Sequence, residues 1–279
     1  MAVTRSLALF LLLSLSLFVS DSGTAQASNS PYPVEDNDDF HWEVDLGVVL
    51  SQRKSVVQSL DKVNFDADLK LWFSGGAYYK NIFIESTPNR NNQLTLGYTL
   101  VNTPKKQINL ITSSWFYPFS ASDQKSSSQR LDGIKKRKRT SEVGLEYNTL
   151  KYGFDTQFRV LHDAFSVHNG TIINLNIGKS LFTKTFYIRP SIGLAYITQN
   201  ATNYYYGIDA DETTNSRSEY HPSGDWIAAA RLYLDRPINE HWSFVAAFNL
   251  AYVGNEISRS PIVDSSYSYD INFGVLWAF

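Results

Sequence analysis

Cysteine is absent from this chain of 279 residues. No disulfide framework can form, no lipid-bearing cysteine can follow an export signal, and a thiolate nucleophile or zinc–thiolate site is excluded. Neither sign of charge is in excess: 25 Lys or Arg stand against 27 Asp or Glu, and the net charge of -2 at pH 7 argues against a nucleic-acid binder. Beyond the first twenty residues no apolar run reaches the roughly 20 residues that a membrane-crossing helix needs. The mean hydropathy of -0.25 fits that lack, but it does not exclude a membrane protein. In a barrel only every second strand residue meets lipid, so a polar average is expected.

What the chain has in quantity is aromatic side chains, with 17 Tyr, 17 Phe and 6 Trp in a composition that is 43 % hydrophobic. That is enough for one sizeable domain or barrel. At the start, Arg5, the apolar stretch Leu7 to Val19 and the small residues Ala25-Gln26-Ala27 read as a secretory signal peptide over residues 1–27. About 13 apolar residues are too few for a single spanning helix. Residues 28–39 carry Pro31, Pro33, Glu35, Asp36, Asp38 and Asp39 and are expected to be a flexible periplasmic leader.

Residues 40–279 alternate. In the closing stretch Ile271, Phe273, Val275, Trp277 and Phe279 point one way, and Asp270, Asn272, Gly274, Leu276 and Ala278 the other. The same period recurs in Trp42 to Leu50, in Phe65 to Phe73 before an expected tight turn at Gly75-Gly76, and in Leu94 to Leu100. A fifth strand is expected to run from Gln107 into the aromatic cluster Trp115 to Phe119. Together the pattern predicts about 12 antiparallel strands of roughly 9 to 13 residues, with 10 as the alternative. The fold class is all-β, a transmembrane up-and-down β-barrel. A soluble sandwich has shorter strands, about 5 to 6 residues, and would not group aromatics at strand ends.

Connections after the even strands are short and most of those after the odd strands are long, as expected for periplasmic turns and cell-surface loops. Aromatic girdles are expected from Trp42, Phe182, Phe186, Trp242 and Trp277 at the inner border, and from Trp115, Tyr117, Tyr204 and Trp226 at the outer. The predicted inward face carries Glu43, Asp45, Asp66, Asp68, Lys70, Glu142, Glu146, Asp155, Arg159, Arg189 and Arg231, whose mixed signs suit a lumen closed by ion pairs or a narrow polar pore. The expected location is the outer membrane of a Gram-negative bacterium. The closing strand, ending on an aromatic residue, resembles the last strand of outer-membrane proteins in general, and that resemblance implies that Phe273, Val275, Trp277 and Phe279 form the signal read by the barrel assembly machinery.

The segment Tyr187 to Thr198, then Tyr204-Tyr205-Tyr206-Gly207-Ile208, Tyr220 and Gly224, and later His241-Trp242-Ser243 and Ser260-Pro261-Ile262-Val263, resembles the MipA/OmpV family of outer-membrane proteins. Tyr205, Tyr206, Gly207, Ser260, Pro261, Ile262 and Val263 carry the likeness. The family's usual Val is replaced by Ile208, and the basic run Lys135 to Arg139 is not part of the pattern. The resemblance implies a non-enzymatic barrel that scaffolds a lytic murein transglycosylase and a murein synthase; other members are surface antigens or adhesins.

Signals for chemistry are weak. His162, Ser166 and His168 lie close in sequence, but a catalytic Ser needs a hydrogen-bonded base and a third orienting group. Asp209, Asp211, Glu212 and His221 fall in a long polar loop, expected to be flexible and solvated, without a calcium-loop spacing. No catalytic, cofactor or metal residue is assigned. Lys135, Lys136, Arg137, Lys138 and Arg139, placed on the cell surface, suit lipopolysaccharide phosphates. The expected function is an envelope-organising scaffold linked to peptidoglycan remodelling; the alternatives are a narrow pore or uptake channel, or an outer-membrane hydrolase.

Overall fold

A chain of alternating strands that must cross lipid has one way to satisfy its backbone, which is to pair every strand on both sides. The computed structural model describes residues 40–57, 68–86, 94–121 and 131–279, and in these the sheet closes on itself. The strands are β1 (His41–Lys54), β2 (Asp68–Tyr79), β3 (Ile82–Ser86), β4 (Thr95–Thr103), β5 (Lys106–Ser113), β6 (Glu142–Lys151), β7 (Phe154–Asp163), β8 (Thr171–Lys179), the two-residue β9 (Leu181–Phe182), β10 (Tyr187–Ile197), β11 (Asp225–Pro237), β12 (Trp242–Val253) and β13 (Tyr267–Ala278). Leaving aside the β9 stub, which pairs only with β10, twelve antiparallel strands form the ring. Closure is made by β13, which pairs with β12 on one side and β1 on the other, with Val48 opposite Val275 and Phe279 N–H donating to the Val44 carbonyl at 3.1 Å. The signal peptide, the leader and Asp66 lie outside the described residues.

The alternation fixes the two faces. Leu71 is 90 % exposed and Ile192 62 %, as are their outward neighbours to a lesser degree, a band that only lipid makes favourable. At the inner border Trp277 stacks on His241 and meets Trp242 and Phe279 edge-on, with ring centroids 4.7 to 6.3 Å apart. The outer border is built differently from the expected girdle. Trp226 packs on Tyr252 at 5.8 Å and Tyr117 is exposed, but Trp115 and Tyr204 turn inward against the apolar core.

The second strand also departs from expectation. Gly75 and Gly76 are not a turn; they sit inside β2, opposite Val44 and Glu43. Gly75 has φ +144°, and a Cβ there would lie 2.2 Å from the Glu43 carbonyl, so close strand approach explains the glycine. The turn is at Lys80-Asn81, with Lys80 at φ 53°. The fifth strand stops at Ser113, because the aromatic residues after it fold into the barrel mouth.

The connections β2–β3, β4–β5, β6–β7, β8–β10 and β11–β12, two to seven residues long, lie at the end that holds both termini of the barrel, and the others, seven to 28 residues long, at the opposite end. Tyr152-Gly153, both with positive φ, makes a two-residue hairpin of the kind that matches strand twist.

Candidate functional site

The long segment between β10 and β11 is not a solvated loop. After Thr198, an extended residue, it forms the helix α1 (Gln199–Tyr206), then a single 3-10 turn at Ala210–Glu212. Ala201, Thr202, Tyr205 and Tyr206 are the buried residues of α1, a spacing that puts them on one face. That face drops into the outer mouth of the barrel. Tyr205 stacks on Phe116 with centroids 3.9 Å apart, and Phe119, Leu131, Ile134, Ile257 and Ile262 join the same buried cluster. Ile257 belongs to a second short helix, α2 (Asn255–Ser258), in the last connection. The plug is continuous with inward wall residues Ile111, Leu161, Ile172 and Ile197.

Polar contacts hold the plug in register. Ser260 Oγ donates to the Tyr206 carbonyl at 2.6 Å, and the Tyr205 hydroxyl donates to the Lys138 carbonyl at 2.9 Å. Gly207 ends α1, its N–H bonding the Asn203 carbonyl; a Cβ there would meet that same oxygen at 2.3 Å. Arg137 Nη2 bridges the Gly207 carbonyl at 2.9 Å and Glu212 Oε2 at 2.8 Å. Glu212 is fully buried, and its Oε1 also accepts the Lys135 N–H at 2.7 Å. Burial alone would raise the Glu212 carboxyl, but the Arg137 guanidinium and the backbone N–H groups of Lys135 and Asp209 outweigh it and hold the group below its ordinary range. The Tyr206 hydroxyl is pushed up to about 12 by burial, with Asp225 adding to the effect.

Below the plug the lumen is packed rather than open along one wall. Arg159 and Glu146, both fully buried, pair at 2.6 Å, and Glu146 also accepts from Asn109, Asn148 and Gln157. Arg189 grips Asp155 at 2.7 Å. On the opposite wall Val49, Trp72, Val245 and Leu276 form a small apolar cluster. Arg231 reaches Asn176 Oδ1 at 2.8 Å.

The residues singled out in the sequence therefore separate. Tyr205, Tyr206, Gly207, Ser260, Ile262 and Val263 come together as the plug. Phe273, Val275 and Phe279 lie on the exposed face of the closing strand. Of the basic run, Lys135, Lys136, Lys138 and Arg139 are exposed, and Lys135 pairs with Asp209 and Asp211 at 3.3 and 2.8 Å. Arg137 is a correction: it is buried and committed to Glu212, so it is not available to lipid phosphate. His162, Ser166 and His168 are not assembled. His168 is fully buried, its Nδ1 accepting the Gly170 N–H and its Nε2 facing Glu142 at 3.3 Å, while His162 meets Thr171 and Ser166 is exposed. Sequence reasoning named Phe116, Glu142 and Glu212 but did not pair them with Tyr205, His168 and Arg137. The 201, 202, 205, 206 spacing was the available signal for α1.

The profile of the MltA-interacting protein MipA matches residues 46–279, most of the chain. The chain belongs to the MipA family. This MipA-family barrel is 26 % identical to the outer membrane protein YiaT of Escherichia coli K12 over 189 residues, 67 % of this chain and 76 % of that one. It is 28 % identical to OmpV of Vibrio cholerae over 153 residues, covering 55 % and 60 %. It is 24 % identical to the MltA-interacting protein of Escherichia coli K12 over 185 residues, covering 66 % and 73 %. Among solved structures, the NanC porin aligns with a TM-score of 0.40 at 10 % identity, covering 82 % of this chain and 98 % of that one. This MipA-family chain is an outer-membrane protein, as its named relatives are.

Proposed function

We propose that this MipA-family barrel is a non-catalytic organiser of the envelope, which holds proteins of murein remodelling at its periplasmic side through the short turns and the leader at residues 28–39. The observation that carries this reading is the filled barrel. With α1 and its neighbours seated in the outer mouth and Arg159–Glu146 buried behind them, the interior is packed along that wall. A relative named MltA-interacting protein supplies the class of partner. The buried His168, the separate Ser166 and the absence of a His/Asp/Glu metal cluster among the described residues add nothing to a hydrolase reading.

Two further roles belong to the same proposal. Phe273, Val275, Trp277 and Phe279 serve the assembly machinery, and Lys136, Lys138 and Arg139, with Lys135 shared by its carboxylates, meet lipopolysaccharide phosphates. The test is capture of a purified lytic murein transglycosylase by the refolded, signal-free protein in lipid nanodiscs. Retention that weakens when residues 28–39 are removed supports the scaffold. No retention by the intact protein, together with steady ion conductance, replaces it with a pore.

A further inference from the structure

The two ends of the barrel differ in charge. Over the described residues the long outer connections carry seven Lys or Arg and seven Asp or Glu, and several are paired, as Arg137 is with Glu212 and Lys135 with Asp209 and Asp211. The five short connections with their flanking strand-end residues, 79–82, 103–106, 151–154, 179–187 and 236–242, carry seven Lys or Arg and one carboxylate, Glu240. Each of the five has at least one cation. Lys105, Lys106, Lys151, Lys179 and Lys184 make no ion pair with any described residue. Among the described residues these turns are therefore strongly cationic.

Several of these cations lie beside rings at the border of the lipid-facing band. Lys151 Nζ lies 5.2 Å from the centroid of Tyr152, a ring that is 86 % exposed, and Lys179 Nζ lies 5.1 Å from that of Phe154, which heads the outward face of β7. Arg236 lies over Phe186 at 5.5 Å. Exposed aromatic rings at strand ends settle at headgroup level, and lysine stems laid along them present the ammonium at the same depth. Phosphate is the anion found there.

We propose that this arc of turn lysines binds the phosphate headgroups of anionic phospholipid in the inner leaflet, fixing the height of the barrel and gathering such lipid around it. The attraction is carried by juxtamembrane cations within a Debye length of an anionic surface, so it is screened by salt. An acidic periplasmic protein would also be drawn to the turns, but it would not require the cations to sit beside lipid-facing rings. The inference is independent of the murein scaffold, since it needs only lipid.

The experiment refolds the whole signal-free protein in mixed phosphatidylglycerol and phosphatidylcholine, and counts retained lipids of each kind by native mass spectrometry at low and at 0.5 M salt. A variant with Lys105, Lys106, Lys151, Lys179 and Lys184 all changed to Gln is compared with one carrying Arg at those five positions, and with the outer-loop variant Lys136→Gln/Lys138→Gln/Arg139→Gln. Heat-modifiable migration confirms that each is folded. The expected result is a salt-sensitive preference for phosphatidylglycerol that falls roughly fivefold or more in the Gln variant, survives in the Arg variant and is untouched by the outer-loop variant. A preference equal in all four proteins overturns the proposal. So does an unchanged lipid preference in a Gln variant that has lost capture of an acidic periplasmic protein, which would assign the arc to protein instead.

Discussion

At the scale of single residues, the contact that most constrains the outer mouth is Arg137 with Glu212. Both side chains are buried, at 7 % and 0 % exposure, so removing one leaves the other charged and unpaired. Arg137→Ala is expected to cost the plug about 3–5 kcal/mol, read as lost amide-exchange protection over residues 199–212 with the strands unaffected. Adding Glu212→Gln to that variant should restore part of the protection. The same carboxyl makes the plug sensitive to acid. Its folded pKa is held below the ordinary 4.5, so its contribution is fully present above that value and is lost only as pH falls through the lower, folded one. Protection of residues 199–212 should therefore be flat from pH 7 to about 5 and decline in more acidic solution.

At the scale of elements, strand and helix obey different constraints. The strands are held by lipid on one side, which makes outward positions intolerant of charge. Ile192, in the middle of β10 and 62 % exposed, is the sharpest case. Ile192→Lys should lower the free energy of folding into lipid vesicles by about 2–4 kcal/mol, measured by urea titration against the parent. The helix α1 is held by the barrel mouth. Ser260→Ala deletes the hydrogen bond to the Tyr206 carbonyl and should weaken the docked helix by about 0.5–1.5 kcal/mol. That loss should appear in the exchange of α1 and not in the melting of the sheet.

At the scale of the whole molecule, plug and lumen act in series. Planar-bilayer recording of the refolded protein should show no steady conductance. Deleting residues 199–224 alone should also leave it quiet, because Arg159–Glu146 and Arg189–Asp155 still pack the wall beneath. Conductance should follow only when that deletion is combined with Glu146→Ala and Arg159→Ala. Steady current through the parent, with ion selectivity that shifts in Arg231→Glu, would favour a pore over a scaffold.

The period of two was legible along nearly every strand, and with it the twelve-strand barrel, the lipid face, the inward charges and the closing role of the segment ending at Phe279. The family likeness was legible in Tyr205-Tyr206-Gly207 and in Ser260 to Val263. These are properties of neighbouring residues, since alternation needs only that successive side chains point to opposite faces. The sequence did not disclose that Gly75-Gly76 continues a strand, because the reason is a carbonyl across the sheet at Glu43. Nor did it disclose that the long segment after β10 is a plug, that Arg137 is buried, or that His168 belongs to a packed core. Tyr206 meets Ser260 across 54 positions of chain, and Arg137 meets Glu212 across 75. Which loop enters the barrel, and which charge it neutralises there, is decided only when the ring closes and brings those positions to one mouth.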